Sequence, residues 1–170
     1  MNLLAAVLSQ RALATLFLRY FGAAKIPLLF YVRPAVVELS AEAVTVKIPL
    51  RRRTKNHLKS MYFGALAIGA DLAGGFLAMQ RIRESGEPVS LIFKSLHADF
   101  LKRAEGDVHF TCVQGREIAG LVKAAVASGE RVEMPVEITA TVPALLGEEP
   151  VAKFTLVLSL KKKSEEETSS

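Results

Sequence analysis

Asp71 is the residue of this sequence best placed to do chemistry. It is the one charged side chain in the nineteen residues of 61–79, MYFGALAIGADLAGGFLAM. Taking an ionised carboxylate out of water costs several kcal/mol unless it is paired or used. A lone acid in such a run therefore reads as a general base or a nucleophile. The plainer reading is a buried acid satisfied by hydrogen bonds at a subunit interface. Upstream stand Asn56 and His57. Asn56 can position water or a carbonyl, and it equally suits a cap or a turn. Before them lies a basic cluster, Arg51, Arg52, Arg53 and Lys55. Such a cluster can hold phosphates, or it can be the solvated end of a strand. His97 and His109 lack the companion Cys, His and acid spacing of a metal site, so no metal is expected. Cys112 is the lone cysteine. It alternates with core residues, excludes an internal disulfide and reads as buried and inert. Phosphate loop, dinucleotide fingerprint and Gly-x-Ser-x-Gly elbow are all missing from the sequence, which argues against those chemistries.

The elements that must position these residues can be read from periodicity. At the centre of a membrane helix an Asp costs ~2.5 to 3.5 kcal/mol, and a Gly- and Ala-rich run has little Leu or Ile to offset it. Residues 60–83 therefore read as a deeply buried helix of a soluble protein, with Ser60 as its cap. Residues 2–22 read as a helix with Leu4, Leu8, Ala12 and Leu16 recurring every four positions, ended by Gly22. Residues 36–39 and 43–50 form a hairpin. Strands follow at 89–101 and around Val108, Phe110 and Cys112. A helix at 117–128 carries Ile118, Leu121, Val122 and Ala125 on one face, with Gly129 as its cap. Two further strands span 132–142 and 151–160, and the last ten residues, KKKSEEETSS, read as a disordered tail. The order predicts an α+β chain, a mostly antiparallel sheet packed on one apolar helix. Gly64, Gly69, Gly74 and Gly75 would admit strand backbones close to that helix.

Composition sets outer bounds. A chain of 170 residues is one domain with room for a core. Its net charge of +5, from 22 basic and 17 acidic residues, favours anionic partners weakly. Few aromatics accompany the basic cluster, so nucleic acid is not expected as a partner. No basic residue precedes the apolar N-terminus, which argues against a signal peptide. Arg11 and Arg19 interrupt any span there. The first helix thus reads as buried or interfacial, with peripheral membrane contact as the lesser alternative. A cytoplasmic location is expected.

Residues 34–161 resemble the hotdog-fold acyl-CoA thioesterases, close to the phenylacetate-type enzymes and a neighbouring branch of unknown function. In that superfamily an Asn is followed by His-Gly-Gly-Ala-Leu and then Asp-x-Ala. Here Asn56 stands six residues before Tyr62, Tyr62-Phe63-Gly64-Ala65-Leu66 takes the middle positions, and Asp71-Leu72-Ala73 follows. The resemblance implies a curved antiparallel sheet wrapped around a long central helix. It places an N-terminal helical extension at 1–33, the hotdog domain at 34–161 and the tail at 162–170. It implies hydrolysis of an acyl-CoA or related thioester without a cofactor. Asp71 would be the nucleophile or general base, and Asn56 would position the water or the thioester. The central-helix N-terminus at Phe63 and Gly64 would be the oxyanion hole. His57, Tyr62, Arg53 and Lys55 would contact substrate, the last two at the phosphates of coenzyme A. The site would form between two subunits of a dimer or a dimer of dimers. Tyr62 and Phe63 stand where the family has His and Gly. Their bulk keeps open a second reading, an acyl-CoA or fatty-acyl binding protein without turnover.

Overall fold

Residues 3–164, described by a computed structural model, form five helices and six strands, with residues 3–9 described by their backbone alone. In chain order they are α1 (Leu3–Lys25), α2 (Pro27–Tyr31), β1 (Ala35–Leu39), β2 (Val44–Ile48), α3 (Phe63–Ser85), β3 (Val89–Phe100), β4 (Val108–Cys112), α4 (Gly115–Ser128), β5 (Val132–Thr141), α5 (Pro143–Leu146) and β6 (Pro150–Lys162). The strands make one sheet in the order β1-β2-β4-β5-β6-β3, antiparallel throughout. The sheet curls around α3, which touches every strand from β2 to β6, while α4 packs on another side of it.

Alternation explains the sheet. Val46 and Ile48 of β2, Phe110 of β4, Val136 and Ile138 of β5 and Phe154, Leu156 and Leu158 of β6 are all buried. They form one inward face against Ala65, Ala70, Ala73, Phe76 and Leu77 of α3. Among the described residues α3 is the one helix long and apolar enough to cross a membrane. Here it serves as the core helix, and it stops where Gly86 turns left-handed at φ +71°. Its glycines make room for side chains rather than for strand backbones. A Cβ on Gly69 would stand 2.3 Å from the Phe110 ring, and one on Gly74 3.5 Å from Ile138 and Phe93.

Several boundaries differ from the sequence reading, each for a physical reason. Gly22 does not end α1. It is a notch where α2 folds back, and a Cβ there would meet the Phe30 backbone nitrogen at 2.7 Å. The break comes at Pro27, which has no N–H and holds Ile26 extended at φ −139° and ψ 83°. Ser60 does not cap α3, since that position falls to Tyr62, which makes no side-chain bond there. The tail starts later than expected because Lys161 and Lys162 still pair with Ser90 and Val89 in β6. Residues 165–170, the rest of that tail, lie outside the described residues.

Candidate active site

The loop between β2 and α3 is built to deliver the start of α3. Thr54 is buried and ties the loop's beginning, donating to the Pro49 carbonyl at 2.8 Å and accepting from the Arg51 N–H at 2.9 Å. Asn56 closes the next turn. Its Oδ1 accepts from the N–H of Leu58 at 2.9 Å and of Ser60 at 3.2 Å, and its Nδ2 donates to Ser60 Oγ at 3.0 Å. Asn56 is therefore engaged in shaping its own loop. The chain is then fixed from both sides, Met61 N–H to the Ala104 carbonyl and Tyr62 N–H to the Thr54 carbonyl, both at 2.8 Å.

That placement leaves donors free. The Tyr62 carbonyl accepts from the N–H groups of Ala65 and Leu66. The N–H groups of Phe63 and Gly64 find no acceptor among the described residues. Free N–H groups at a helix start carry partial positive charge and suit a developing oxyanion. They adjoin a cavity of about 440 Å³ lined by Asn56, His57, Tyr62, Phe63, Leu66 and Phe100, with Lys102 and Arg103 at one side. The rings of Tyr62 and Phe63 lie 4.6 Å apart. The Tyr62 ring also covers Gly64 so closely that a Cβ there would sit 2.6 Å from it.

Asp71 lies elsewhere. Eight residues of helix separate it from Phe63, about 12 Å along the axis at 1.5 Å per residue. It opens into a second cavity, of about 490 Å³. Leu18 and Phe21 of α1, Ile26, Leu29 of α2, Phe76 and Met79 of α3, and Leu91 and Phe93 of β3 form its apolar walls, and Lys163 stands at its edge. Burial pushes the Asp71 carboxyl above its ordinary range. No hydrogen bond or ion pair holds it among the described residues. The apolar walls were not foreseen as part of the site: the α1 repeat read from the sequence runs through Ala12 and Leu16, which are exposed, whereas the chamber takes Leu18 and Phe21.

The remaining predicted residues are dispersed. Arg53 donates to the Tyr31 carbonyl at 3.0 Å, lies over the Tyr31 ring at 4.9 Å, and faces a third, basic cavity. Lys55 is exposed, bridges to Met61 across the loop and lines none of the three cavities. His97 is exposed beside Asp99, at 3.4 Å. His109 is pulled below its usual range by burial and by Lys47. Cys112 is buried, and burial pushes its thiol up. One chain thus gathers Asn56, His57, Tyr62, Phe63 and Gly64 at the helix start and leaves Asp71 in a separate chamber.

The sheet has an open end near both cavities. β3 pairs only with β6 among the described residues, so its outer edge is free. Leu96 and Phe100 sit opposite Leu156 and Ala152 on the inward face of the sheet. They are nevertheless 46% and 53% exposed.

Residues 14–152 match the profile of a family described as a domain of unknown function, DUF4442. No curated protein matches the chain. Among solved structures, a Pseudomonas aeruginosa protein described as of unknown function and a probable thioesterase is similar at 25% identity and TM-score 0.73, over 88% of this chain and 96% of its own. A protein of unknown function from Chlorobaculum tepidum is similar at TM-score 0.78 and 14% identity, over 90% of this chain and 97% of its own. A Haemophilus influenzae thioesterase is similar at TM-score 0.63 and 11% identity, over 85% of this chain and 88% of its own.

Proposed function

The chain belongs to the DUF4442 family and has the hotdog fold, and on that premise we propose that it hydrolyses acyl thioesters, with coenzyme A thioesters as the first candidates. The observation that carries the reading is Asp71, a largely buried carboxylate without a partner among the described residues, opening into an apolar chamber. A partly buried acid without a partner, facing an apolar chamber, is unusual outside a site, and the chamber is of a size and polarity that suit an acyl chain.

The chemistry needs two copies. A second chain docked on the free edge of β3 would cover Leu96 and Phe100 and bring one copy's Asp71 to the other copy's helix start. Asp71 then takes a proton from water as the oxygen attacks the thioester carbon. The carbonyl oxygen gains negative charge and is held by the N–H groups of Phe63 and Gly64. The intermediate collapses and expels the thiolate, which takes up the proton that Asp71 holds, so that the carboxylate is restored. Asn56 acts as a positioning residue through the loop that presents Phe63. His57 stands at the cavity rim, within reach of a bound thioester. For the phosphates of the thiol carrier, Arg103 is better placed than Arg53 or Lys55. It lines the helix-start cavity and has no partner among the described residues.

The Tyr62 ring over Gly64 favours one other reading, acyl-CoA binding without turnover. Free-thiol release from short, long and aromatic acyl-CoAs separates the two. Hydrolysis by the wild type that falls at least about a hundredfold in a folded Asp71→Asn chain supports the thioesterase, the range expected for a general base. Thermal protection by acyl-CoA with no thiol released supports the binding protein. Hydrolysis retained in Asp71→Asn contradicts the assigned role of Asp71.

A further inference from the structure

We propose that the basic cavity and the outer face of α1 and α2 form a docking surface for an anionic phospholipid bilayer. The proposal does not depend on the thioesterase reading. The cavity, of about 900 Å³, is the largest of the three and gathers Arg19, Arg33, Lys47, Arg51, Arg52 and Arg53 around one carboxylate, Asp107. Lys47 and Arg51 share Asp107 at 3.6 Å and 3.8 Å. Arg19 is turned to the Pro34 carbonyl at 2.9 Å, and Arg53 to Tyr31. Arg33 and Arg52 have no partner among the described residues. Six cations around one carboxylate leave a concavity of strongly positive potential that attracts anions.

Its rim is apolar. Leu13, Leu16 and Tyr20, at helical spacing, are 65%, 65% and 70% exposed, whereas Ala14 and Leu18 on the other side of α1 are buried. Leu28 and Tyr31 continue the exposed surface on α2, and Tyr31 lines the cavity itself. Leu16 stands one turn before Arg19, so the stripe and the charges meet on one helix. An apolar surface of this kind needs a partner. A second copy docked on it about a two-fold axis would set the two positive cavities near each other. A nucleic acid would satisfy the arginines and leave the leucines in water. A bilayer satisfies both, with lipid phosphates in the cavity and Leu and Tyr side chains at the acyl boundary.

The test is co-sedimentation of the full chain with phosphatidylcholine vesicles and with vesicles containing one part in three of phosphatidylglycerol, as an estimate of a strongly anionic surface. Binding is expected to the anionic vesicles only, and is lost as salt rises. It should weaken about 25-fold in Arg33→Gln/Arg52→Gln, from ~1 kcal/mol for each basic residue. It should also weaken in Leu16→Ser/Tyr20→Ser, with circular dichroism unchanged in both variants. Failure of the wild type to sediment with anionic vesicles overturns the proposal. So does binding by both double variants that equals that of the wild type. A Leu16→Ser/Tyr20→Ser chain that shrinks its oligomer while keeping vesicle binding overturns it in favour of a second copy on α1. Pyrophosphate binding without vesicle binding overturns it in favour of a soluble phosphate ligand.

Discussion

Asp71 sits where a carboxylate harms stability, and that harm can be measured. Burial raises its folded-state pKa above the ordinary 3.8. Between that value and the folded pKa the folded chain binds the proton more tightly than the unfolded chain, so stability falls as pH rises through the window. Asp71→Asn removes the charge and keeps the shape. It should raise Tm at neutral pH, by about 2–4 °C for each kcal/mol relieved in a chain of this size. The gain should vanish below the ordinary carboxylate pKa, and thermal unfolding across a pH series reads both. A variant that unfolds at the same temperature as wild type at neutral pH would mean that Asp71 finds a partner in the working assembly. Two residues before Asp71, Gly69 is constrained by packing alone. Gly69→Ala gains roughly 0.5–1 kcal/mol of helix propensity. The new Cβ, however, would stand 2.3 Å from the ring of Phe110, itself fully buried. Overpacking of this kind costs about 1–3 kcal/mol, so a net loss of stability is expected in a denaturant melt.

At the scale of elements, the α1–α2 hairpin is the part that tailors the site. Through Leu18, Phe21, Ile26 and Leu29 it supplies one wall of the Asp71 chamber. Ile26 is 43% exposed, so enlarging it fills the chamber with little disturbance of the core. Ile26→Trp should move the acyl-CoA preference toward shorter chains, with KM for long chains rising more than for short ones. Profiles that shift equally for all chain lengths would place the acyl group elsewhere. These walls were not legible in the sequence, because they come from segments that meet only in three dimensions. The strands were legible, since Val108, Phe110 and Cys112, or Phe154, Leu156 and Leu158, each carry the alternation of a half-buried sheet. So was the end of α4, where Gly129 takes φ +70°. Gly22 and Ser60 misled for one shared reason. Each has the residue type of a helix terminus, but the backbone of Phe30 uses the first and Asn56 the second. The helix-start cluster was legible as far as local spacing reaches, from Asn56 to Gly64. The separation of Asp71 from it follows from eight residues of helix, which the motif alone does not display.

At the scale of the molecule, one chain holds an acid and a helix start with free N–H groups at different cavities, beside an open strand edge and two uncovered apolar side chains, Leu96 and Phe100. A composite site shared between two copies would bring them together. Complementation tests that claim most directly. Phe63→Pro deletes the N–H at the first helical position, where proline is tolerated, and Tyr62 at φ −65° and ψ 138° already has the backbone that a following proline requires. Phe63→Ala, which keeps the N–H, controls for loss of the ring. Mixed after co-refolding in equal amounts, the inactive Phe63→Pro and Asp71→Asn chains should regain about a quarter of wild-type thiol release, because half of the dimers are then mixed and each carries one intact site. Two inactive chains that form mixed dimers and stay inactive would contradict the composite site.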